Sequence, residues 1–153
     1  MIREKIDELY VVLKEEVSRA QKVADKVKIA ANEIAKSSYN SPSQSGDRFH
    51  SQGQADIAKE RAERLEKVLA RVEKELGNKV PENISPICWV NLEYEDATKD
   101  GFYYVDEPIS VSGYKFVSSS SPFGTILKDK KAGDNFEYLI SGNKISGKVV
   151  LIE

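Results

Sequence analysis

Apolar residues recur along the first half of the chain at a spacing that turns with a helix. From Ile2, alternate steps of four and three residues meet Ile6, Leu9, Leu13, Glu16, Ala20, Val23, Val27, Ala30 and Ile34, and only Glu16 breaks the series. From Ala55, steps of three and four meet Ala58, Ala62, Leu65, Leu69, Val72 and Leu76 without a break. A mean spacing of about 3.5 residues marks a coiled-coil seam rather than the broader face of a globular helix. Between the two series, Ser37 to Gly46 is rich in Ser, Asn, Pro and Gly, a composition that favours chain reversal. Residues 1–77 therefore predict an antiparallel coiled-coil hairpin with its tip at about 37–51. At 1.5 Å per residue its first helix is roughly 50 Å long. Seam positions near the turn are small (Ala30, Ala55, Ala58) and those at the other end larger (Leu9, Leu13, Leu69, Leu76), so the arm is expected to narrow toward its tip.

The period changes after Leu76. Gly77-Asn78 is a helix stop, Pro81 and Pro86 oppose resumption, and residues 78–86 read as a linker. Residues 87–153 carry short β-type runs: Ile87 to Leu92, Phe102 to Val105, Tyr114 to Val117, Phe136 to Ile140 and Lys148 to Ile152. Turn signals separate them at Asp100-Gly101, Ser112-Gly113, Gly133-Asp134 and Ser141-Gly142-Asn143. Pro122 to Lys128 suits one short helix. The fold class is α+β: a helical hairpin followed by a small β-rich domain with one short helix.

Composition narrows the functional classes. Charged residues are 31% and hydrophobic ones 40% of the 153, the balance of a protein with much exposed surface. The net charge is −2 with no basic block, so stand-alone DNA binding is not expected. No apolar run approaches the roughly 20 residues that span a bilayer. The N-terminus lacks the apolar core of a signal peptide, and the single Cys88, flanked by Ile87, Trp89 and Val90, reads as a core thiol. A cytoplasmic location fits. One His and one Cys lie far apart, and there is no Walker or Gly-x-Gly-x-x-Gly motif, so independent catalysis and a cofactor of its own are not expected.

One stretch carries a resemblance. Ser121-Pro122-Phe123-Gly124-Thr125-Ile126-Leu127-Lys128-Asp129-Lys130-Lys131-Ala132-Gly133-Asp134 fits every fixed position of Ser-Pro-x-Gly-x-x-Leu-x-x-Lys-x-x-Gly-Asp. That pattern is similar to the C-terminal domain of the Gre family, the bacterial transcript-cleavage factors GreA and GreB. The hairpin-then-β layout and the ending Val149-Val150-Leu151-Ile152-Glu153 resemble the family as well. The resemblance implies an FKBP-like C-terminal domain whose Ser-Pro loop docks on RNA polymerase near the mouth of its secondary channel. Ser121, Pro122 and Phe123 become docking candidates. Local chemistry offers another role, with Ser121 capping a short helix and Pro122 at its first position.

The resemblance also directs attention to the hairpin tip. Gre factors present two acids there, as Asp-x-x-Glu, to help hold a second Mg²⁺ and a water in the polymerase, which then hydrolyses its own backtracked RNA. Such chemistry needs hard oxygen ligands. In Gly46-Asp47-Arg48-Phe49-His50, Asp47 matches the first acid, and His50 replaces the second. Imidazole is a poor Mg²⁺ ligand, though it accepts a proton or binds a softer metal. Asp47 is equally an expected helix N-cap, His50 a solvated turn residue, and Asp56 a remote substitute for the missing acid. Arg48 and Phe49 are candidate tip contacts, to a phosphate or acid and to a partner surface respectively.

Four functions remain open. The chain is a Gre-like elongation factor that enters the polymerase channel, contacts nascent RNA indirectly and modulates backtracking or cleavage. It is a channel-binding regulator without cleavage. It is an FKBP-type peptidyl-prolyl isomerase using some of Trp89, Phe102, Tyr103, Tyr104, Tyr114, Phe116, Phe136 and Tyr138. Or it is a scaffold that self-associates through its hairpin.

Overall fold

The computed structural model describes residues 3–37 and 45–153, with the backbone alone described at 35, 37 and 45–51. The elements in chain order are α1 (Glu4–Ser37), α2 (Ser45–Glu75), β1 (Cys88–Tyr94), β2 (Lys99–Val105), β3 (Phe116–Ser118), α3 (Pro122–Leu127), β4 (Asn135–Ile140) and β5 (Asn143–Ile152). This is the α+β order expected: two long helices, then a five-stranded sheet with one short helix. The expected turn between the long helices falls mainly outside the described residues.

α1 and α2 run antiparallel. Arg3 meets Glu75 at 3.0 Å and Glu16 meets Arg61 at 2.9 Å, so numbers rise along one helix as they fall along the other. On α2 the seam is as expected: Ala55, Ala58, Ala62, Leu65, Leu69, Val72 and Leu76 are all buried or half-buried. Val68 joins them, wholly buried, because the base of α2 also packs on the sheet.

On α1 the seam shifts register after Leu13. The inward series is Ile6, Leu9, Leu13, Val17, Ala20, Ala24, Val27, Ala31 and Ile34. Leu9 to Leu13 to Val17 is two four-residue steps in succession, a stutter that locally unwinds the supercoil. The expected seam through Glu16, Val23 and Ala30 is therefore corrected: Val23 is 53% exposed and Ala30 is exposed, while Ala24 and Ala31 take their places. The cause is the charge at Glu16. Centred on the seam, its carboxylate would be desolvated without a partner. On the flank it accepts from Arg61 and pairs with Arg19 at 3.5 Å.

The sheet order is β3-β2-β1-β5-β4, antiparallel throughout except for the parallel β2–β3 pair. Its two faces have separate cores. Ile87, Tyr103, Val105 and Val111 join the base of the hairpin, with Trp89 and Phe116 packed against them. Cys88, Val90, Leu92, Phe102, Tyr104, Phe136 and Val149 pack on the other face with Leu127 of α3. β2 is buried on both faces over Phe102-Tyr103-Tyr104-Val105, which explains that unbroken apolar run.

The turn signals divide in outcome. Ser141 and Gly142, at φ 49° and 82°, close a two-residue hairpin in which Ile140 pairs with Asn143. Gly77, at φ 80°, follows α2 as its stop signal requires. Asp100-Gly101, however, is not a turn; it lies inside β2, with Gly101 opposite Asn91. A Cβ on Gly101 would stand 2.5 Å from the Trp89 ring, so the glycine makes room for a neighbouring-strand indole.

A parallel pair needs a crossover, and here the segment between β2 and β3 lies along α2. Arg61 donates to Ser110 O at 3.2 Å, Arg64 to Pro108 O at 3.3 Å, and Arg71 meets Asp106 at 3.3 Å. Arg3, 5% exposed, closes the base: it donates to Glu75 Oε2 and Ile87 O, both at 3.0 Å, and to Glu153 O at 3.4 Å.

Two outcomes follow. Ala31→Glu should cost about 1–3 kcal/mol by placing a charge in the seam, while Ala30→Glu should stay within about 0.5 kcal/mol of wild type. Urea unfolding of the two variants reads this, and equal losses would refute the shifted register. Arg3→Met should lower stability by about 2–3 kcal/mol, since it strands the Ile87 carbonyl and the partly exposed Glu75. An unchanged urea midpoint would show that the arginine adds nothing net.

Candidate functional site

The tip candidates sit early in α2. That helix begins at Ser45, so Asp47, Arg48, Phe49 and His50 are all helical in backbone, and Asp47 lies inside the first turn rather than at the N-cap. An acid there is favoured by the unpaired N–H groups and the helix dipole. Asp47 and His50 are three residues apart along that helix. Their side chains, with those of Arg48 and Phe49, lie outside the described residues. Asp56 is exposed, and its carboxylate accepts from Gln52 at 3.3 Å within the same helix.

The Ser-Pro segment is fully described. Ser121 is the N-cap of α3, with extended backbone at φ −69° and ψ 157°, and Pro122 occupies the first turn. The Ser121 hydroxyl accepts from Gly124 N at 3.0 Å and donates to Ser118 O at 2.7 Å, joining the helix to the end of β3. Gly124 is required by close approach, because a Cβ there would come within 1.9 Å of Ser118 O. Its carbonyl accepts from buried Tyr104 Oη at 2.7 Å. Burial pushes that phenol up to about 12, so it remains a donor at neutral pH. Leu127 is wholly buried.

The rest of the motif forms the turn after α3. The Lys130 carbonyl accepts from Ile84 N at 2.8 Å, Gly133 takes φ 95°, and Asp134 accepts from Lys131 N at 2.8 Å. The three docking candidates thus separate. Ser121 is half-buried as a cap, Pro122 is exposed, and Phe123 is half-buried. Phe123 sits among Phe102, Phe136 and Tyr138 with ring centres 6.1, 5.9 and 5.2 Å away. These aromatics converge on Phe123 itself.

The arginines of α2 were not recognised in the sequence as a set. Arg61, Arg64 and Arg71 differ by three and seven residues, a spacing that puts them on one side of a helix. That spacing was the available signal. Among the described residues no group of three or more His, Cys, Asp or Glu is placed to hold a metal ion, and no helix is long and apolar enough to cross a membrane.

The architecture is thus a paired-helix arm seated on one face of a small curled sheet. No protein-family model and no curated protein matches the sequence. Among solved structures, the chain is similar to Gfh1 of Thermus aquaticus at 19% identity and a TM-score of 0.43, covering 94% of this chain and 92% of that one. It is similar to Gfh1, a GreA factor homolog, of Thermus thermophilus at 21% identity and a TM-score of 0.39, covering 94% of each. A prokaryotic transcription elongation factor GreA/GreB from Nitrosomonas europaea matches at 19% identity and a TM-score of 0.42, over 57% of this chain and 78% of that one.

Gly124→Ala should destabilise the chain by about 2–3 kcal/mol by driving a methyl group into Ser118 O. Gly53→Ala, on an exposed part of α2 with open space around it, should stabilise by up to about 1 kcal/mol. Melting curves compare them, and a Gly124→Ala protein as stable as wild type would remove the packing role assigned to that glycine.

Proposed function

We infer that the chain is a Gre-like transcription elongation factor. Residues 87–153 dock on bacterial RNA polymerase, and the hairpin of residues 1–77 reaches into the secondary channel. The observation that carries this reading is the 121–134 stretch, which fits the family pattern at every fixed position. Its geometry favours a presented loop: Ser121 and Gly124 fix α3 against β3, leaving Pro122 exposed at the helix start. A prepositioned apolar contact loses little entropy on binding.

On this reading the protein is an accessory factor, and the polymerase supplies the catalytic site. Asp47 would offer one carboxylate toward a Mg²⁺ held jointly with the polymerase, and a metal there would supply an activated water for hydrolysis of the RNA phosphodiester. The factor then works in the cytoplasm and meets nascent RNA only through the polymerase.

A second reading keeps the docking and the arm but not the cleavage. His50 favours it, because a nitrogen donor stands where the family has its second oxygen ligand. An isomerase role is disfavoured by Phe123, which fills the aromatic cluster that would have to admit a proline ring.

Pro122→Ala should weaken binding to immobilised bacterial RNA polymerase by about three- to tenfold without altering the fold. Undiminished binding would count against the docking assignment. Transcript cleavage on a backtracked elongation complex then separates the two readings. Cleavage by wild type that Asp47→Ala abolishes supports the first, and tight binding with no cleavage supports the second.

A further inference from the structure

Where the crossover segment lies on α2 it leaves a notch of about 410 Å³, lined by Ile57, Arg61, Arg64, Leu65 and residues 108–110. Its walls are aliphatic. Ile57 is 69% exposed, and Ile109 is half-buried beside it.

The two arginines are not equivalent. Arg61 is neutralised by Glu16 at 2.9 Å. Arg64 has no ion pair among the described residues, and its guanidinium makes one hydrogen bond, to Pro108 O at 3.3 Å. A guanidinium has five N–H donors, so most of this one's capacity is open to a ligand. Crossover and helix together hold an uncompensated cation at the rim of an apolar notch.

We propose that this notch binds a segment of the protein partner carrying a carboxylate and an aliphatic side chain, the carboxylate on Arg64 and the aliphatic group on Ile57. Ile57 and Arg64 are seven residues apart on one helix, about 10 Å along its axis. An extended chain rises about 3.3 Å per residue and points alternate side chains to opposite faces. An acidic and an apolar residue that both face α2 therefore lie two or four positions apart, about 6.6 or 13 Å, which brackets that distance. Charge complementarity selects an acid. The aliphatic surroundings and the single uncompensated cation select a carboxylate over a nucleic-acid backbone, which calls for several cations and stacking aromatics.

This inference rests on the reading of the chain as a polymerase factor, and assigns it a second contact separate from the Ser-Pro loop. The test is binding of the full-length chain to immobilised bacterial core RNA polymerase. Arg64→Glu should weaken binding at least about tenfold, Arg64→Lys should stay within about threefold, and Ile57→Ser should lose about threefold. Circular dichroism should show helix content unchanged in all three, since Ile57 is exposed and Arg64 lies half-buried on the flank of α2, outside its seam. If wild type binds and both Arg64→Glu and Ile57→Ser bind within about twofold of it, the inference is overturned while the polymerase reading stands. If wild type does not bind, both fail. A matching loss of binding to a fluorescent single-stranded RNA by Arg64→Glu would identify the anion as phosphate and overturn the proposal.

Discussion

The arm has a direction because one buried guanidinium holds its base. Arg3 begins the described chain, yet its donors go to Glu75 at the end of α2, to Ile87 O at the entry to β1, and to Glu153 O at the last residue. Four segments that are distant in sequence meet at one planar fork. An arginine suits this place better than a lysine, since a rigid fork addresses a carboxylate and a carbonyl at fixed angles. Lys5 reinforces the junction, its ammonium 4.6 Å from the Trp89 ring centre and its N–H on Glu153 Oε1 at 3.4 Å. The apolar contact around them, from Leu9 and Val72 to Tyr103 and Val105, supplies the burial. The arginine specifies how the apolar surfaces meet.

With that junction fixed, the topology of the sheet acquires a second use. The parallel β2–β3 pair requires a connection that leaves the sheet and returns. This one returns over α2, where three arginines take carbonyls and a carboxylate from it. The hairpin is therefore held at its base by Arg3 and along its flank by the crossover. Beyond Ile57, Ala55 is buried in the seam and Gln52 bonds to Asp56 on the same helix. The chain divides into a seated proximal half and a projecting distal half, and alanines dominate the distal seam in both helices. Small seam residues let two helices approach closely, which suits a narrow arm.

How much of this could be read from the sequence depended on whether the cause was local. The α2 seam, the Gly77 stop, the Ser141-Gly142 hairpin and the strand runs are set by side chains within a few positions of one another. The α1 register was not, because the apolar series remains plausible in either phase after Leu13, with Ala20, Val27 and Ile34 common to both. The choice is made across the helix pair, by Arg61 reaching Glu16 from α2. Asp100-Gly101 misled for the same reason: as a dipeptide it signals a turn, but Trp89 on the neighbouring strand needs the missing Cβ. Arg3 gave no local signal at all, since a charged residue near a terminus is ordinarily solvated. Of the site candidates, Ser121 was legible as a cap, whereas the close approach of Gly124 to Ser118 and the Arg64 notch exist only once β3 and the crossover are in place.

The two ends of the molecule ask different things of their residues. At the Ser-Pro end, the residues that resemble the Gre pattern are mostly committed to holding α3 and the turn after it, and Pro122 is exposed at the start of that helix. The pattern is therefore explained in large part by folding, and it argues for the shape of this unit more directly than for docking. At the tip the reverse holds. A helical start at Ser45 needs neither Asp47 nor His50 in particular, so their identity is free to answer to a partner. Two carboxylates at that spacing would suit a hard cation. An acid and an imidazole instead pair one hard oxygen donor with a nitrogen donor, from which Mg²⁺ gains little. On the proposed reading, whether the factor promotes cleavage or merely occupies the channel turns on His50 standing where a second carboxylate would be.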